Sequence, residues 1–314
     1  MYLVLAYSSF PPLENPLLEV KRHKDFFKGR DVAGRIYISE EGINGQMSGA
    51  EQDARDYMEW LLSDPRFSSI PFKVHTHHEN IFARMTVKTR EQLVALDEKV
   101  GSIEGGEYLS PKEWRETIEN EEDFFLIDVR NQYEWEIGHF EKSTLPTLDQ
   151  FRDFPKYADE LKEKLDPKTK ILMCCTGGIR CELYSKLLKK RGFENVLQLE
   201  GGIINYGLKE GSAVWKGKLF VFDDRMAIPI DGKENRPIAK CHQCGEPSDT
   251  YYNCANMNCN ELFLSCPSCH LKYLGCCSCE CKDHPRRRPY QSGNKPFRRK
   301  HLLSQISDES KQTV

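Results

Sequence analysis

The chain has 314 residues, of which 39% are hydrophobic and 30% are charged, and these proportions are typical of a globular protein with two or three domains. The formal net charge of −3 gives no overall case for binding nucleic acid, and no apolar run approaches the roughly 18 residues that a membrane span needs. The opening residues are apolar over too short a stretch, with no basic lead, to be a secretory signal, so we expect a cytoplasmic protein with no membrane partner.

The first hundred residues alternate between strand and helix patterns. The predicted elements are strands at residues 2–7, 32–39, 46–48, 72–77 and 81–88, helices at 16–27 and 50–63, and a turn at 41–45. In the second helix, Tyr57, Trp60 and Leu61 are expected to point inward. The order β-α-β-β-α-β with one further strand predicts a ferredoxin-like α+β sandwich, a fold that by itself implies no activity.

A second domain is predicted after the charged, glycine-ended connector at residues 91–106. Ser110 is followed by Pro111 and Glu113, which is the pattern of a helix-capping box with proline at the first helical position. The apolar run at residues 171–174 is typical of a buried strand, and an amphipathic helix is predicted to begin near Cys181. We expect an α/β domain with a central parallel sheet.

The loop between this strand and this helix carries the main candidate for chemistry. A glycine-rich turn from strand to helix directs backbone N–H groups into its mouth, and the helix N-terminus adds partial positive charge there. Cys175 is therefore expected to be a reactive thiolate near neutral pH, and Arg180 is a fixed cation suited to holding an anion. The rest of the predicted active-site loop is Thr176, Gly177, Gly178 and Ile179.

Four neighbouring residues are open to more than one interpretation. Cys174 is expected to pack as a buried hydrophobe at the strand end. Cys181 is a candidate resolving thiol, or simply a small residue that fits the first turn of the helix. Asp128 and Arg130 follow a parallel strand on the same side of the sheet, so they are candidates for lining the pocket, although Asp128 would serve equally as a cap for backbone amides.

The third part of the chain is a cysteine-rich module. Its ten cysteines, out of thirteen in all, are Cys241, Cys244, Cys254, Cys259, Cys266, Cys269, Cys276, Cys277, Cys279 and Cys281. Two C-x2-C pairs and one C-x4-C pair are typical of structural zinc sites, and a reducing compartment disfavours the alternative of disulfides. Eight thiolates would hold two zinc ions. One arrangement gives Cys241, Cys244, Cys266 and Cys269 to one ion, and Cys254, Cys259 and two of the last four cysteines to the other.

A strongly basic segment follows the cysteines. Residues 282–300 contain eight lysines or arginines against one acid, with two aromatic residues interleaved. Such a segment is suited to contacting RNA phosphates and stacking on unpaired bases, or it is a solvated tail without a ligand. The candidate RNA-binding residues are Arg286, Arg287, Arg288, Arg298, Arg299 and Lys300. The predicted domains are residues 1–100 (ferredoxin-like), 107–211 (α/β), 212–285 (cysteine-rich, zinc-binding) and 286–314 (a basic, disordered tail).

The loop resembles the active-site loop of the rhodanese superfamily, written C-x-x-G-x-R and matched here by Cys175, Gly178 and Arg180. Residues 124–143 resemble the first signature of that superfamily, and residues 195–206 resemble its closing strand and Gly-Gly turn. Three matches in order are far more specific than the loop alone. The resemblance implies a rhodanese fold for the middle domain.

The whole chain resembles the rhodanese-domain family of tRNA uridine hydroxylases. The matching segments, in order, are EEGINGQMSG, CTGGIRCE, LFVFDDR, CHQCG, NCANMNCN and CPSC. The resemblance implies an oxidoreductase that converts the wobble uridine to 5-hydroxyuridine with dioxygen as co-substrate, acts on the anticodon region of tRNA, and uses Cys175 as its active-site cysteine, directly or as a persulfide. The sequence has no recognisable flavin, nicotinamide or iron motif, and no protein partner is evident.

Three other functions remain open. A plain sulfurtransferase would carry a persulfide on Cys175, and an RNA-binding adaptor would have a vestigial rhodanese site. A phosphatase would use a C-x5-R loop, a spacing that is present from Cys174 to Arg180. The phosphatase is disfavoured because Cys174 belongs to the strand, whereas Cys175 begins the turn.

Overall fold

The computed structural model describes residues 1–101 and 103–290 and divides into two compact units. The first unit consists of Met1–Gln132 and Glu141–Val214, and the second consists of Tyr133–Phe140 together with the described residues from Trp215 to Tyr290. Among the described residues, none of the helices has both the length and the apolar character that crossing a bilayer requires.

The N-terminal part of the first unit is a five-stranded sheet with two helices. Its elements are β1 (Tyr2–Ser9), α1 (Pro16–Phe26), β2 (Val32–Ser39), β3 (Gly42–Ala50), α2 (Glu51–Leu62), β4 (Lys73–His77) and β5 (Met85–Thr89). The strand order is β4-β1-β3-β2-β5, antiparallel except for the parallel pair β2–β5. Tyr57 and Leu61 of α2 are fully buried, and Trp60 is partly buried against the same core. The predicted ferredoxin-like sandwich with one extra strand is confirmed.

The third strand differs from the prediction of a turn at residues 41–45 followed by a short strand. β3 is continuous from Gly42 to Ala50, and it pairs with β1 on one side and β2 on the other. The chain reverses in two residues, because Ser39 pairs directly with Gly42, whose positive φ of 138° suits glycine. Gly45 lies against the ring of Tyr7, so a glycine that indicates a turn in the sequence instead makes room for an aromatic side chain.

The remainder of the first unit contains a second sheet of five strands. The elements from residue 107 to residue 210 are β6 (Glu107–Leu109), α3 (Pro111–Asn120), β7 (Phe125–Asp128), α4 (Gln132–Trp135), β8 (Gly138–Phe140), β9 (Ser143–Thr144), a 3-10 turn (Phe151–Asp153), α5 (Phe154–Lys164), β10 (Ile171–Cys174), α6 (Ile179–Lys190), β11 (Val196–Leu199) and α7 (Gly202–Glu210). The sheet order is β6-β11-β10-β7-β9, with every pair parallel, whereas β8 belongs to the second unit. The predicted α/β domain with a parallel sheet is confirmed.

Two local features place the active-site loop. All four residues of β10 are fully buried in the middle of the sheet, so the chain leaves the sheet at a fixed point immediately before residue 175. Gly178 has a left-handed φ of 93° and is the N-cap of α6, which therefore begins at Ile179, two residues earlier than predicted. The predicted capping box at Ser110 is confirmed, since Ser110 and Glu113 bond each other's backbone N–H groups.

The second unit is built from short elements. They are β12 (Trp215–Gly217), β13 (Leu219–Phe220), β14 (Ala227–Ile228), β15 (Tyr251–Asn253), β16 (Leu262–Leu264), α8 (Pro267–Lys272) and α9 (Cys279–Lys282). They form three two-stranded antiparallel pairs, β12–β8, β13–β14 and β15–β16. A unit of such short elements has a small apolar core, so further cross-links are needed to hold it together.

Candidate functional site

The Cys175 sulfur lies at the centre of the loop, surrounded by backbone N–H groups. The residue follows β10 directly and its side chain is fully buried. The Gly178 N–H donates to Sγ at 3.1 Å, and the N–H groups of Arg180 and Cys181 donate to the same sulfur. These donors come from the glycine turn and the first turn of α6, where N–H groups have no helical acceptor. The loop is therefore shaped to hold a negatively charged sulfur.

The carbonyl groups of the same loop are bonded to donors from other elements. The three bonds are Ile203 N–H to Cys175 O at 3.0 Å, Ile204 N–H to Thr176 O at 3.1 Å, and Lys73 Nζ to Gly177 O at 2.8 Å. Ile203 and Ile204 belong to the first turn of α7. Because these carbonyl oxygens have partners elsewhere, the loop can turn its N–H groups toward the sulfur without leaving acceptors unsatisfied.

The surroundings of Cys175 stabilise its thiolate. Burial alone would raise the pKa of this thiol, but the hydrogen bond from Cys181, the positive charge of Arg180 and the backbone N–H groups outweigh it and lower the pKa to about 5. Arg180 is itself buried, in the first turn of α6, and its guanidinium donates to the Thr176 hydroxyl at 3.4 Å. The thiol is therefore ionised at neutral pH.

The two neighbouring cysteines behave differently. Burial and the negative charge of Asp128 raise the pKa of Cys174 well above its ordinary value, so this residue remains a thiol inside the strand. Burial and the hydrogen bond to Cys175 likewise raise the pKa of Cys181, which serves as the donor of that bond. This difference in ionisation argues against a phosphatase loop counted from Cys174.

Asp128 and Arg130 form an ion pair that is fully buried at the end of β7. The Arg130 Nη2 lies 2.6 Å from the Asp128 Oδ2, and the Arg130 backbone N–H donates to Oδ1 of the same carboxylate at 3.1 Å. Neither residue is among those that line the cavity described below. Asp128 therefore accepts a backbone amide, as one of the two interpretations expected, and neither residue of the pair lines this cavity.

Lys73 is a site residue that the sequence did not reveal. Lys73 is the first residue of β4 in the N-terminal domain and is only 9% exposed. Its ammonium group donates to the Gly177 carbonyl, which is 104 residues away in the sequence. Burial lowers the pKa of its ammonium group, whereas the nearby Cys175 thiolate favours the charged form. A lone lysine at the start of an alternating strand carries no sequence signal, and only the folded chain places it beside the loop.

A cavity of about 630 Å³ opens beside the loop, within the first unit. Its lining residues are Ser8, Phe10, Pro71, Phe72, Lys73, Tyr108, Gly177, Gly178, Ile179, Glu182, Glu200, Gly201, Asn205 and Lys209. The apolar walls come mostly from the N-terminal domain, and the loop and α7 contribute backbone and polar groups. A small organic ligand could thus be held against the Cys175 loop.

Eight cysteines of the second unit form two clusters that can hold metal ions. The clusters are Cys241, Cys244, Cys266 and Cys269, and Cys254, Cys259, Cys277 and Cys281, with the four sulfurs of each within 4.8 Å of one another. The Sγ–Sγ distances include 3.7 Å for Cys244–Cys266 and 3.7 Å for Cys259–Cys277. Four thiolates at 2.3 Å around a tetrahedral ion would be about 3.8 Å apart, so this geometry fits such an ion.

Cys276 and Cys279, which the sequence analysis counted with the metal ligands, belong to neither cluster. Cys276 is fully buried among apolar neighbours of the second cluster, whereas Cys279 is exposed at the start of α9. The structure groups the cysteine pairs alternately into two clusters of four, as in the arrangement given from the sequence, and Cys277 and Cys281 complete the second cluster.

The described arginines of the basic segment are bonded to the loop that carries Cys254 and Cys259. Arg286 Nη1 donates to the Asn258 Oδ1 at 2.9 Å, and Arg288 Nη1 donates to the Cys254 carbonyl at 3.1 Å. Arg287 pairs with Asn256 in an isolated bridge. These three residues thus belong to the ordered cysteine module rather than to a free tail, and Arg298, Arg299 and Lys300 lie outside the described residues.

Comparison with known domain families divides the chain into three matched parts. They are a UPF0176 acylphosphatase-like domain at residues 2–93, a rhodanese-like domain at 110–208, and a rhodanese C-terminal domain at 216–282. Among solved structures, the rhodanese-like domain of the Anabaena protein Alr3790 is 20% identical, covers 35% of this chain and 78% of its own, and has a TM-score of 0.30.

Two curated relatives match almost the entire chain. The tRNA uridine(34) hydroxylase of Protochlamydia amoebophila is 55% identical over 314 residues, which cover 99% of this chain and 98% of that protein. The tRNA uridine(34) hydroxylase of Chlamydia trachomatis serovar L2 is 56% identical over 310 residues, which cover 97% and 94% respectively. The resemblance seen in the sequence is confirmed, and the chain belongs to the tRNA uridine(34) hydroxylase family.

Proposed function

We propose that the protein hydroxylates the wobble uridine of tRNA at C5, giving 5-hydroxyuridine, with dioxygen as co-substrate and a two-electron reductant, so that one oxygen atom enters the base and the other leaves as water. The observation that carries the proposal is the ionised Cys175 sulfur, held by backbone N–H groups and Arg180, in a chain more than half identical to proteins named for this activity. Membership of the family supplies the substrate and the reaction class, and the loop supplies the group that acts.

Cys175 is assigned the role of nucleophile. A uracil ring is electrophilic at C6, so a thiolate that adds there forms an S–C6 bond while the C5–C6 π bond breaks and its electrons move toward O4. The carbon to be hydroxylated then becomes electron-rich. Once C5 carries the hydroxyl group, loss of the C5 proton restores the C5–C6 double bond and expels the Cys175 thiolate. Arg180 and the loop N–H groups keep the sulfur ionised before the addition, so the nucleophile needs no separate base.

The two cysteine clusters are assigned to structural zinc. Sets of four thiolates with no open position are typical of structural rather than catalytic zinc, and the clusters lie in a unit of short strands that has little core. The first ion would be held by Cys241, Cys244, Cys266 and Cys269, and the second by Cys254, Cys259, Cys277 and Cys281. When bound, the two ions would cross-link the short elements of this module and stabilise its fold.

The proposed partner is the anticodon region of tRNA in the cytoplasm. Arg286 is exposed and next to the second cluster, so it is a candidate for contacting RNA phosphates, with Arg287 and Arg288 half-buried beside it. The division into residues 1–100, 107–211 and 212–285 is retained as a proposal, and the described arginines that follow residue 285 pack on the cysteine module.

The test is mass spectrometry of tRNA nucleosides from cells that lack the protein, complemented by wild type, Cys175→Ala or Cys174→Ser. Wild type and Cys174→Ser are expected to restore 5-hydroxyuridine, and Cys175→Ala is not. Normal 5-hydroxyuridine in the cells without the protein would overturn the proposal. Restoration by Cys175→Ala would instead favour an adaptor with a vestigial site.

A second candidate function is sulfur transfer, since the same ring of N–H groups would hold a persulfide on Cys175. Labelled sulfur that reaches an acceptor with wild type, but not with Cys175→Ala, would favour this function. Under that outcome the level of 5-hydroxyuridine would not depend on the protein.

A further inference from the structure

We propose that the cavity beside the active-site loop binds the target uracil base, which stacks on the ring of Tyr108 and accepts a hydrogen bond at O4 from Lys73. This inference rests on the proposed function and deepens it. It assigns the recognition of the base to one residue from the edge of the α/β domain and one from the N-terminal domain, neither of which belongs to the Cys175 loop.

The cavity has the size and composition of a site for a small ligand. Its volume of about 630 Å³ falls within the range of roughly 300–1,000 Å³ that is usual for such sites. Four apolar side chains, including Phe10 and Phe72, line it together with seven polar or charged side chains and three glycines. A planar base that leaves its stack in RNA requires both kinds of surface, because its faces are apolar and its edges form hydrogen bonds.

Tyr108 provides a ring that is fixed in place and accessible. The side chain is 59% exposed and lines the cavity. Its hydroxyl donates to the Glu182 carboxylate at 2.6 Å, and that carboxylate also accepts from Gln198 at 3.3 Å and pairs with Lys186 at 3.4 Å. A ring that is tethered at one end and open on its surface is suited to stacking on an unpaired base, with little loss of side-chain freedom on binding.

Lys73 provides a buried ammonium group with hydrogen-bond donors that the described protein groups do not use. Within the described residues no carboxylate lies at salt-bridge distance from this ammonium, and the Gly177 carbonyl is its only hydrogen-bond acceptor there. An ammonium has three N–H donors, and burying it is costly unless its donors find acceptors. Because Lys73 lines the cavity, a ligand with an oxygen acceptor can supply the missing partner.

The reaction determines which oxygen of the base should meet Lys73. The C5–C6 edge of the base has to face the Cys175 loop, because the proposed addition is at C6, and C4, which is bonded to C5, carries O4. Lys73 is bonded to that loop, through Gly177, so O4 is the acceptor nearest to it and O2 lies across the ring. Cytosine carries an amino group in place of O4, and two donors would then face each other. Lys73 is therefore expected to select uracil over cytosine.

The test measures how tightly the full-length, metal-loaded protein binds an anticodon stem-loop RNA that has uracil, cytosine or no base at position 34. Wild type is expected to prefer uracil to cytosine by at least about tenfold, since an unpaired buried donor is costly. Lys73→Met should bring this ratio close to one, whereas Lys88→Met, at an exposed lysine of β5, should leave it unchanged. A Lys73→Met variant that keeps the wild-type ratio overturns the proposal.

Stacking is tested with the RNA that lacks the base. Wild type should bind uracil-containing RNA about fivefold or more tightly than the abasic RNA. Tyr108→Ala should lose most of that preference, and Tyr108→Phe should keep it because the ring remains. Equal affinity of wild type for both RNAs, or an unchanged preference in Tyr108→Ala, contradicts the stacking role.

A chemical change in the RNA tests the same contact with the wild-type protein, so the test does not depend on whether a variant folds. Sulfur is a poorer acceptor than oxygen, so wild type should bind RNA with 4-thiouracil more weakly than uracil RNA and should bind 2-thiouracil RNA normally. The opposite order overturns the assignment of O4. Because these are binding measurements, they can fail while 5-hydroxyuridine still depends on Cys175. Conversely, if the proposed hydroxylation is wrong, the nucleoside analysis would show it, and the binding preference for uracil could still be present.

Discussion

The backbone of Gly202, at the start of α7, lies directly against the loop that carries Cys175. A Cβ atom at this position would be 2.6 Å from the Cys175 carbonyl oxygen and 2.6 Å from the Gly178 nitrogen. Gly202 also has a positive φ of 70°, which side chains other than glycine rarely adopt. The second glycine of the Gly201–Gly202 turn thus sets how closely α7 approaches the loop, and this approach allows Ile203 to bond the Cys175 carbonyl.

Replacing Gly202 by alanine should therefore displace the active-site loop. We expect Gly202→Ala to lose 5-hydroxyuridine formation in complemented cells. The free energy of unfolding should fall by more than the roughly 1–2 kcal/mol that a left-handed alanine costs alone. The control is Gly192→Ala, because Gly192 has a φ of 102° but no atom within 4 Å of the added Cβ. Denaturant unfolding should show a loss for both variants, and only Gly202→Ala should lose activity. Equal activity in the two would contradict the steric role of Gly202.

The ionisation of Cys175 predicts an unusual pH dependence for its alkylation. Because its pKa is about 5, the thiolate fraction is nearly complete at pH 7 and falls as the pH drops below 5. The rate of reaction with iodoacetamide, followed by mass spectrometry of the loop peptide in a Cys174→Ser background, should be flat above about pH 6. Arg180→Met removes a cation that stabilises the thiolate, so the increase in alkylation rate with pH should move to higher pH. Arg152→Met, at a surface arginine, should not.

The same ionisation predicts how stability depends on pH. The pKa of Cys175 is lowered by folding from its ordinary value of 9.0 to about 5, so between these values the unfolded chain holds one more proton than the native protein. The stability that the thiolate contributes therefore rises with pH across this window and is lost as pH falls through 5. The difference in unfolding free energy between wild type and Cys175→Ala should grow by up to about 1.4 kcal/mol per pH unit. A difference that does not vary with pH would show that the thiol is not ionised.

The buried ion pair of Asp128 and Arg130, at the C-terminal end of β7, should be essential to the fold. Asp128→Asn removes a carboxylate that is bonded to the buried guanidinium of Arg130, and breaking such a pair costs about 3–5 kcal/mol. Denaturant unfolding of this variant should show a loss of that size. The exposed pair of Lys28 and Asp25 is the matched control, and Asp25→Asn should leave unfolding unchanged. Similar effects in the two variants would mean that the Asp128–Arg130 pair adds nothing beyond a surface contact.

The sequence was most informative where the chemistry is local. The N–H groups that hold the Cys175 sulfur come from residues 178–181, so the glycine spacing and the helix start predict them directly. The cysteine pairs are also local, so their spacing predicts metal-binding pairs, whereas the two of the last four cysteines that join the second cluster were not predicted from the sequence. The glycines of β3 misled the prediction, because glycine indicates a turn unless a bulky partner such as Tyr7 lies across the sheet.

Long-range contacts could not be predicted in the same way. Lys73 and Gly177 are far apart in the chain, and nothing near Lys73 marks it as buried. Asp128 and Arg130 follow a strand on the same side of the sheet as the loop, and the sequence did not show that they form a buried ion pair. The sequence pattern locates an edge of the sheet, whereas packing decides which side chains at that edge reach the cavity.

The two cysteine clusters predict which cysteines the metal content depends on. Cys254 belongs to the second cluster, so Cys254→Ser should reduce the zinc content from two ions per chain to about one, measured by elemental analysis of the purified protein. Cys279 is exposed and lies outside both clusters, so Cys279→Ser should keep both ions and is the matched control. Because a structural ion adds its binding energy to folding, Cys254→Ser should also lower the melting temperature of the cysteine module, as a chelator would in wild type. If Cys279→Ser lost an ion while Cys254→Ser kept both, the ligand sets drawn from the sulfur distances would be wrong.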